Sequence, residues 1–309
     1  MNLINNQKNI GILFHHFNQN KKYYDSPGSL DKNKFFKFIK KYKDLITRPE
    51  KFLKETNNKK ICLTFDDGLK CQYDIALPIL EEFKIKSFFF VFTYPHEKTD
   101  LTIETIRYFR YKYFLNQKLF YKTLFRNIED VKSVKLNKLN LFNEKIISHY
   151  KKHSPYYNLL DIKFKILRDN FLTNLEYNQI IASMIKQKKI DLKKLNKKLY
   201  MSKKEIKKIS DLNHMVGLHS HYHNHKIHEH SYMQEFKDYK KNKLILEKII
   251  KKKIITCSYP FGNFTINSEK ILKKLKIKYA FCKNNKTKLI DKEEKNLYLP
   301  RHNISTIKF

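Results

Sequence analysis

Tryptophan is absent from the 309 residues, glycine occurs five times, proline seven and cysteine four. So few glycines and prolines exclude collagen-like and Pro/Gly-rich low-complexity chains. Cys62, Cys71, Cys257 and Cys282 form no CxxC pair, and each lies in a stretch of strand or helix character. They are expected to be buried reduced thiols, not a disulfide framework. Long apolar runs are missing too. The longest, "FFFVF" at 88–92, falls far short of the roughly 18 residues of a membrane span. The opening "MNLINNQKNIGILFHHF" is too polar, and its apolar run too short, for a secretory signal. A cytoplasmic location is therefore expected, with the inner membrane face as a peripheral variant.

Acid is scarce as well: 30 Asp+Glu stand against 65 Lys+Arg, a formal charge of +35. Such charge raises nucleic acid and anionic membrane as partners. However, 59 of the basic residues are Lys, only six are Arg, and they run along the whole chain. A nucleic-acid groove would gather Arg and aromatic residues in one place, so solvated lysine faces are the better reading and nucleic acid is not expected as a partner. Contact with an anionic membrane face or a phosphate-bearing substrate stays compatible with the charge. What is present is 41% apolar residues, with 24 Phe and 20 Tyr. That is enough for a substantial core.

Apolar strand-like runs alternate with helical spacing at both ends of the chain. "IGILFHHF" (10–17), "KKICLTF", "IKSFFFVFTY", "HMVGLHS", "KIITCSYPFG", "IKYAFC" and "NLYLPRHNIS" read as strands. Helices are expected over 30–45 with Asp31 as N-cap, and over 72–83, 233–251 and 268–275. Alternation of this kind predicts an α/β domain with a mainly parallel sheet or barrel. Residues 100–202 differ. They are Lys- and Asn-rich with helical stripes such as Ile103, Ile106, Phe109 and Tyr113, a pattern of helix packing more than of a sugar-stacking platform. The expected division is 1–99, a helical insertion over 100–202 that overhangs the site without supplying a ligand, and 203–309.

Three polar clusters stand at strand ends: "TFDDG" (64–68), "GLHSHYHNH" (217–225) and "SYPFGNF" (258–264). Side chains leaving strands on one face of an α/β domain converge. Two adjacent carboxylates in a dry site need a positive charge nearby, or one pKa is pushed up. A divalent metal would supply it. His219 and His223 offer imidazole nitrogens and Asp67 a carboxylate, a His₂-carboxylate set with open positions that suits a catalytic zinc or related ion. His214, His221, His225, His228 and His230 are expected to be solvated loop residues or supports for the ligands.

"TFDDG", then "HSHYH" in an H-S-x-x-H frame, then "SYPFG", with "ILFHHF" on the first strand, together resemble the polysaccharide deacetylase family, the NodB-homology group of carbohydrate esterases. The resemblance covers 10–99 and 203–302. It implies a distorted (β/α)₇ barrel carrying a helical insertion. It also implies a zinc- or cobalt-dependent hydrolase that removes an acetyl group from an N-acetylated glycan, or from a lipid- or nucleotide-linked sugar. On that resemblance Asp66 is the general base, Asp67, His219 and His223 hold the metal, and Tyr259, Pro260, Phe261 and Gly262 line the substrate and oxyanion site. The backbone N–H of Phe261 is the oxyanion donor. Two departures stand out. The arginine that often opens the third motif is replaced by Ser258, for which Arg301 in "LPRHN" is the substitute, and the general acid falls to His302 or to His15. A deacylase for a non-carbohydrate amide and a catalytically idle glycan-binding barrel are the alternatives.

Overall fold

The computed structural model describes residues 9–19, 23, 25–55, 60–97, 101–114, 116–153, 157–224, 227–283 and 296–307. His225 lies outside the described residues. Seven apolar runs form strands: β1 (Ile10–Phe14), β2 (Ile61–Phe65), β3 (Phe88–Val91), β4 (Met215–Leu218), β5 (Thr256–Ser258), β6 (Tyr279–Lys283) and β7 (Leu299–Asn303). Each pairs in parallel with the next along the chain, and β7 pairs back onto β1. The sheet is thus a closed seven-stranded barrel, as the alternation predicts. Helix Lys32–Tyr42 starts where expected, with the Asp31 carboxylate accepting the backbone N–H groups of Asn33 and Lys34.

Side chains alternate across a strand, and here both faces are covered. On one face Cys62, Phe88, Phe90 and Phe281 pack with Phe52 of helix Pro49–Lys54 as a cluster of their own. On the other, Ile12, Phe14, Leu63, Phe65, Phe89, Leu218 and Ala280 meet the helices through residues such as Phe35, Phe38, Leu80, Tyr239 and Leu272. The strands therefore read as unbroken apolar runs. Each fully buried Phe contributes about 1.5–3 kcal/mol. Ring pairs such as Phe65–Phe89, 4.7 Å between centroids, and Phe88–Phe281 at 5.0 Å fix how these layers interlock. All four cysteines are free and buried among them.

The chain divides into two compact units. One comprises the described residues of Met1–Tyr23, Ser29–Lys98 and Lys197–Phe309, and holds the barrel; the other comprises those of Tyr24–Gly28 and Thr99–Asn196. The second unit is helical and has its own core, in which Ile106 and Phe109 pack with Phe120, Tyr121, Leu124, Phe164 and Ile181. Arg110 is buried there beside Asp161 at 3.3 Å, and the Tyr121 hydroxyl donates to the same carboxylate. No helix among the described residues is long and apolar enough to cross a membrane.

Gly217 shows how tightly the barrel is filled. A Cβ there would lie 2.5 Å from the Phe90 ring and 2.7 Å from Thr256 Oγ1. Gly217→Ala should therefore destabilise the protein by about 1–3 kcal/mol through overpacking. A lowered urea midpoint with an unchanged m-value is the expected result; an unchanged midpoint would show that the interior has room to give.

Candidate metal centre

The strand parity that buries Cys62 and Thr64 also turns Asp66, the first residue past β2, toward the barrel axis. Asp66 is 2% exposed. Arg301, 4% exposed on β7, grips it with both ends of its guanidinium: Nη1 to Oδ1 at 2.7 Å and Nη2 to Oδ2 at 2.8 Å. The Ser258 hydroxyl donates to Asp66 Oδ2 at 3.0 Å and accepts from Arg301 Nη2 at 2.6 Å. Arg301 reaches this position because β1 is glycine at its level; a Cβ on Gly11 would lie 2.8 Å from Arg301 Cγ. The Arg301 stem takes that space, and its head sits 5.8 Å from the ring centroids of Phe90 and Phe281. Burial by itself would raise the Asp66 pKa. The charges of Arg301 and His219, with the hydrogen bonds from Arg301, outweigh it and hold the group below its ordinary value.

Asp67 adopts φ 76°, the left-handed region that few non-glycine residues visit, and Gly68 follows at φ 65°. This reversal turns the second carboxylate away from the first. Its Oδ1 lies 3.3 Å from His219 Nε2 and 3.1 Å from His223 Nε2, and the two imidazole nitrogens are 3.1 Å apart. One ligand atom from each of the three residues falls within 4.8 Å of the others, as a single ion requires. Two further observations fit a metal. His219 Nδ1 lies 2.7 Å from the Ser258 carbonyl, a contact that puts the ring proton on Nδ1 and leaves the Nε2 lone pair facing inward. Asp67 Oδ1 is buried without a hydrogen-bond donor among the described residues. Burial pushes the Asp67 pKa up, but His223 and His219 bring it well below the usual range. His219 is shifted upward despite burial, because Asp66 and Asp67 face it.

The remaining candidates separate along strand parity. Arg301 faces inward, so its neighbour His302 takes the opposite side of β7. His302 has no part in the described contacts of Asp66 and Asp67, and burial is what lowers its pKa. His15 instead follows β1 at the barrel mouth. Burial lowers its pKa, while Asp67, Asp66 and Arg301 all act on it electrostatically. Gln72, in the π turn Gln72–Ala76, ties the two strand ends together by donating to the carbonyls of His15 (2.9 Å) and Asp66 (2.6 Å). Tyr259 does not line the site. One residue past inward-facing Ser258, it is fully buried against Phe264 and Tyr298. Pro260 and Gly262 are buried too, whereas Phe261 stands at φ 55°, 39% exposed, its ring 4.7 Å from that of His223.

Of the two places expected for His214 and His221, solvated loop or support, burial excludes the first. His214 accepts the Ser87 N–H at Nδ1, and His221 Nδ1 meets Thr93 Oγ1 at 2.8 Å. Burial lowers the pKa of each to about 4, so both stay neutral where the protein is folded at neutral pH. His228 is exposed, and His230 is half-buried with Asn224 on its Nε2.

A family model described as polysaccharide deacetylase matches residues 53–112 and 173–280, more than half of the chain. Among solved structures, the Streptococcus pyogenes deacetylase PplD in complex with acetate is similar at 14% identity and TM-score 0.55, over 96% of this chain and 92% of that one. IcaB from Ammonifex degensii is similar at 13% identity and TM-score 0.53, over 96% and 91%. A de-N-acetylase from Aggregatibacter actinomycetemcomitans gives 10% identity and TM-score 0.54, over 98% and 97%. At these identities the structures speak for the fold. No curated protein sequence matches the chain significantly.

The buried pair has a testable signature in metal-free protein. Arg301→Met should cost about 3–5 kcal/mol at neutral pH, because it strands the Asp66 charge. The pH dependence should also change sign. In the wild type the depressed Asp66 pKa stabilises the fold above about pH 4, and that contribution is lost as pH falls through the folded-state value. In Arg301→Met burial raises the pKa, so the variant should regain stability on mild acidification. Urea unfolding at pH 7 and pH 5 separates the two; parallel losses on acidification would refute the assignment.

Proposed function

The chain belongs to the polysaccharide deacetylase family, and from that premise we propose that it is a metal-dependent C–N hydrolase acting on an N-acetylated glycan or a lipid- or nucleotide-linked precursor of one. The observation that carries this reading is the meeting of Asp67, His219 and His223 beside the buried Asp66–Arg301 pair. Those three residues would hold the metal, and a His₂-carboxylate set suits zinc or cobalt. When bound, such an ion supplies Lewis acidity for the acetamide carbonyl and for a water.

Asp66 receives the proton of the attacking water. Arg301 keeps it ionised, and Asp66 Oδ2 is 3.7 Å from His219 Nε2. The water oxygen forms a bond to the acetyl carbon, the C–N bond breaks, and the amine leaves with a proton. His15, not the outward-facing His302, is the donor in this reading: of the two, it alone follows a strand at the barrel mouth where Asp66 and Asp67 act on it. The backbone N–H of left-handed Phe261 is the proposed oxyanion donor. The idle glycan-binding barrel draws on the missing third-motif arginine and acid; the contact of Arg301 with Asp66 supports the catalytic reading instead.

Acetate release from a panel of N-acetylated sugars, with and without added zinc or cobalt, tests the reading directly. Asp67→Ala should lose bound metal and activity together. Asp66→Asn should keep the metal and lower kcat about 10²–10⁴-fold, since only proton transfer is removed. Equal metal loss in both variants would show that the two roles are misassigned.

A further inference from the structure

We infer that Asp238 and Asn242, one turn apart on helix Tyr232–Ile250, are positioning residues that set the affinity of the metal centre. The inference rests on the metal-dependent reading above. Residues 219–223 carry two of the three ligands, yet they lie beyond the end of β4 and have no ladder partner. Two of them, Ser220 (φ 58°) and His223 (φ 54°), are left-handed without being glycine. Such a conformation is strained for a residue with a side chain and persists only where its surroundings enforce it.

The surroundings here are side chains of one helix face. Asn242 Oδ1 accepts the His219 N–H at 3.1 Å, and Asn242 Nδ2 donates to Val91 O at 3.0 Å and Thr93 Oγ1 at 3.1 Å, at the end of β3. Asp238 Oδ1 accepts both the His221 N–H at 2.6 Å and the Tyr222 N–H at 2.9 Å. The Ser220 hydroxyl, itself hydrogen-bonded to Asp238, accepts the His223 N–H at 3.0 Å. Four consecutive-turn amides that no strand can satisfy are thus held by three side chains, and Asp238 and Asn242 are 2% and 0% exposed. Buried amides require such partners, and a carboxylate accepting N–H groups is among the stronger ones.

The functional consequence follows from geometry. The Nε2 atoms of His219 and His223 stand 3.1 Å apart in the described fold, although the segment joining them is not helical. Without the grip of Asp238 and Asn242 the loop relaxes from its left-handed turns. Metal binding must then order it, and the ordering cost appears as weaker affinity.

The test uses the full chain stripped of metal and titrated with zinc alone against a chromophoric chelator. Asp238→Ala and Asn242→Ala should each weaken zinc about 10–100-fold. Asp238→Asn, which keeps an oxygen for the two amides, should lose less. Glu235→Ala is the control. It lies one turn earlier on the same helix and accepts from Ser268 and Thr265, so it loosens the helix without touching the loop and should leave zinc affinity at the wild-type value. Unchanged affinity in both alanine variants, or an equal loss in Glu235→Ala, would overturn the inference. A wild-type protein that takes up neither zinc nor cobalt would sink the metal reading, and this inference with it.

Discussion

A charged pair inside a barrel is the constraint around which this molecule is organised. Asp66 and Arg301 are both nearly inaccessible, and taking either from water alone would cost several kcal/mol. Together, with Ser258 and Thr64 adding hydrogen bonds to the two ends of the guanidinium and to the carboxylate, they are tolerated. The rest of the interior follows from that pair. Gly11 leaves room for the arginine stem, and Phe90 and Phe281, which belong to the same apolar cluster as Phe52, lie beside its head.

The site also concentrates backbone strain. Asp67, Ser220, His223 and Phe261 are all non-glycine residues with φ between 54° and 76°. Two carry ligand atoms, one hydrogen-bonds a ligand's amide, and one packs its ring on a ligand. Left-handed residues that gather at one place mark where side-chain direction has been chosen over backbone comfort. The rigid barrel supplies the strand ends, and these reversals aim the groups that the strands alone would send elsewhere.

The strands were legible because both faces are buried, which leaves continuous apolar runs such as "SFFFVF". The same property concealed which face of each strand points inward. Parity in an all-apolar strand cannot be read from composition, so the sequence does not tell that Tyr259 turns away from the site or that Arg301, and not His302, faces inward. Inward-facing Thr64 and Ser258, small polar residues among Phe and Ile, were the available signal. The trio able to hold a metal, Asp67, His219 and His223, was legible from residue type and order. Its supports were not: Gln72, Asp238 and Asn242 sit in helical stretches where a polar residue ordinarily faces solvent. For His214 and His221 the sequence leaves solvated loop and buried support equally open, since the choice lies with hydrogen-bond partners on other elements.

The Asp66–Arg301 contact spans 235 residues of sequence. During vectorial synthesis, every ligand-bearing residue emerges before the counter-charge does. Asp67, His219 and His223 can already be in place while Asp66 still lacks its guanidinium. Contacts of such separation are late and slow to form, and docking of the seventh strand is the event that makes a carboxylate tolerable in the interior. Closing the sheet and giving the Asp66 carboxylate its counter-charge are therefore one step in the life of the nascent chain.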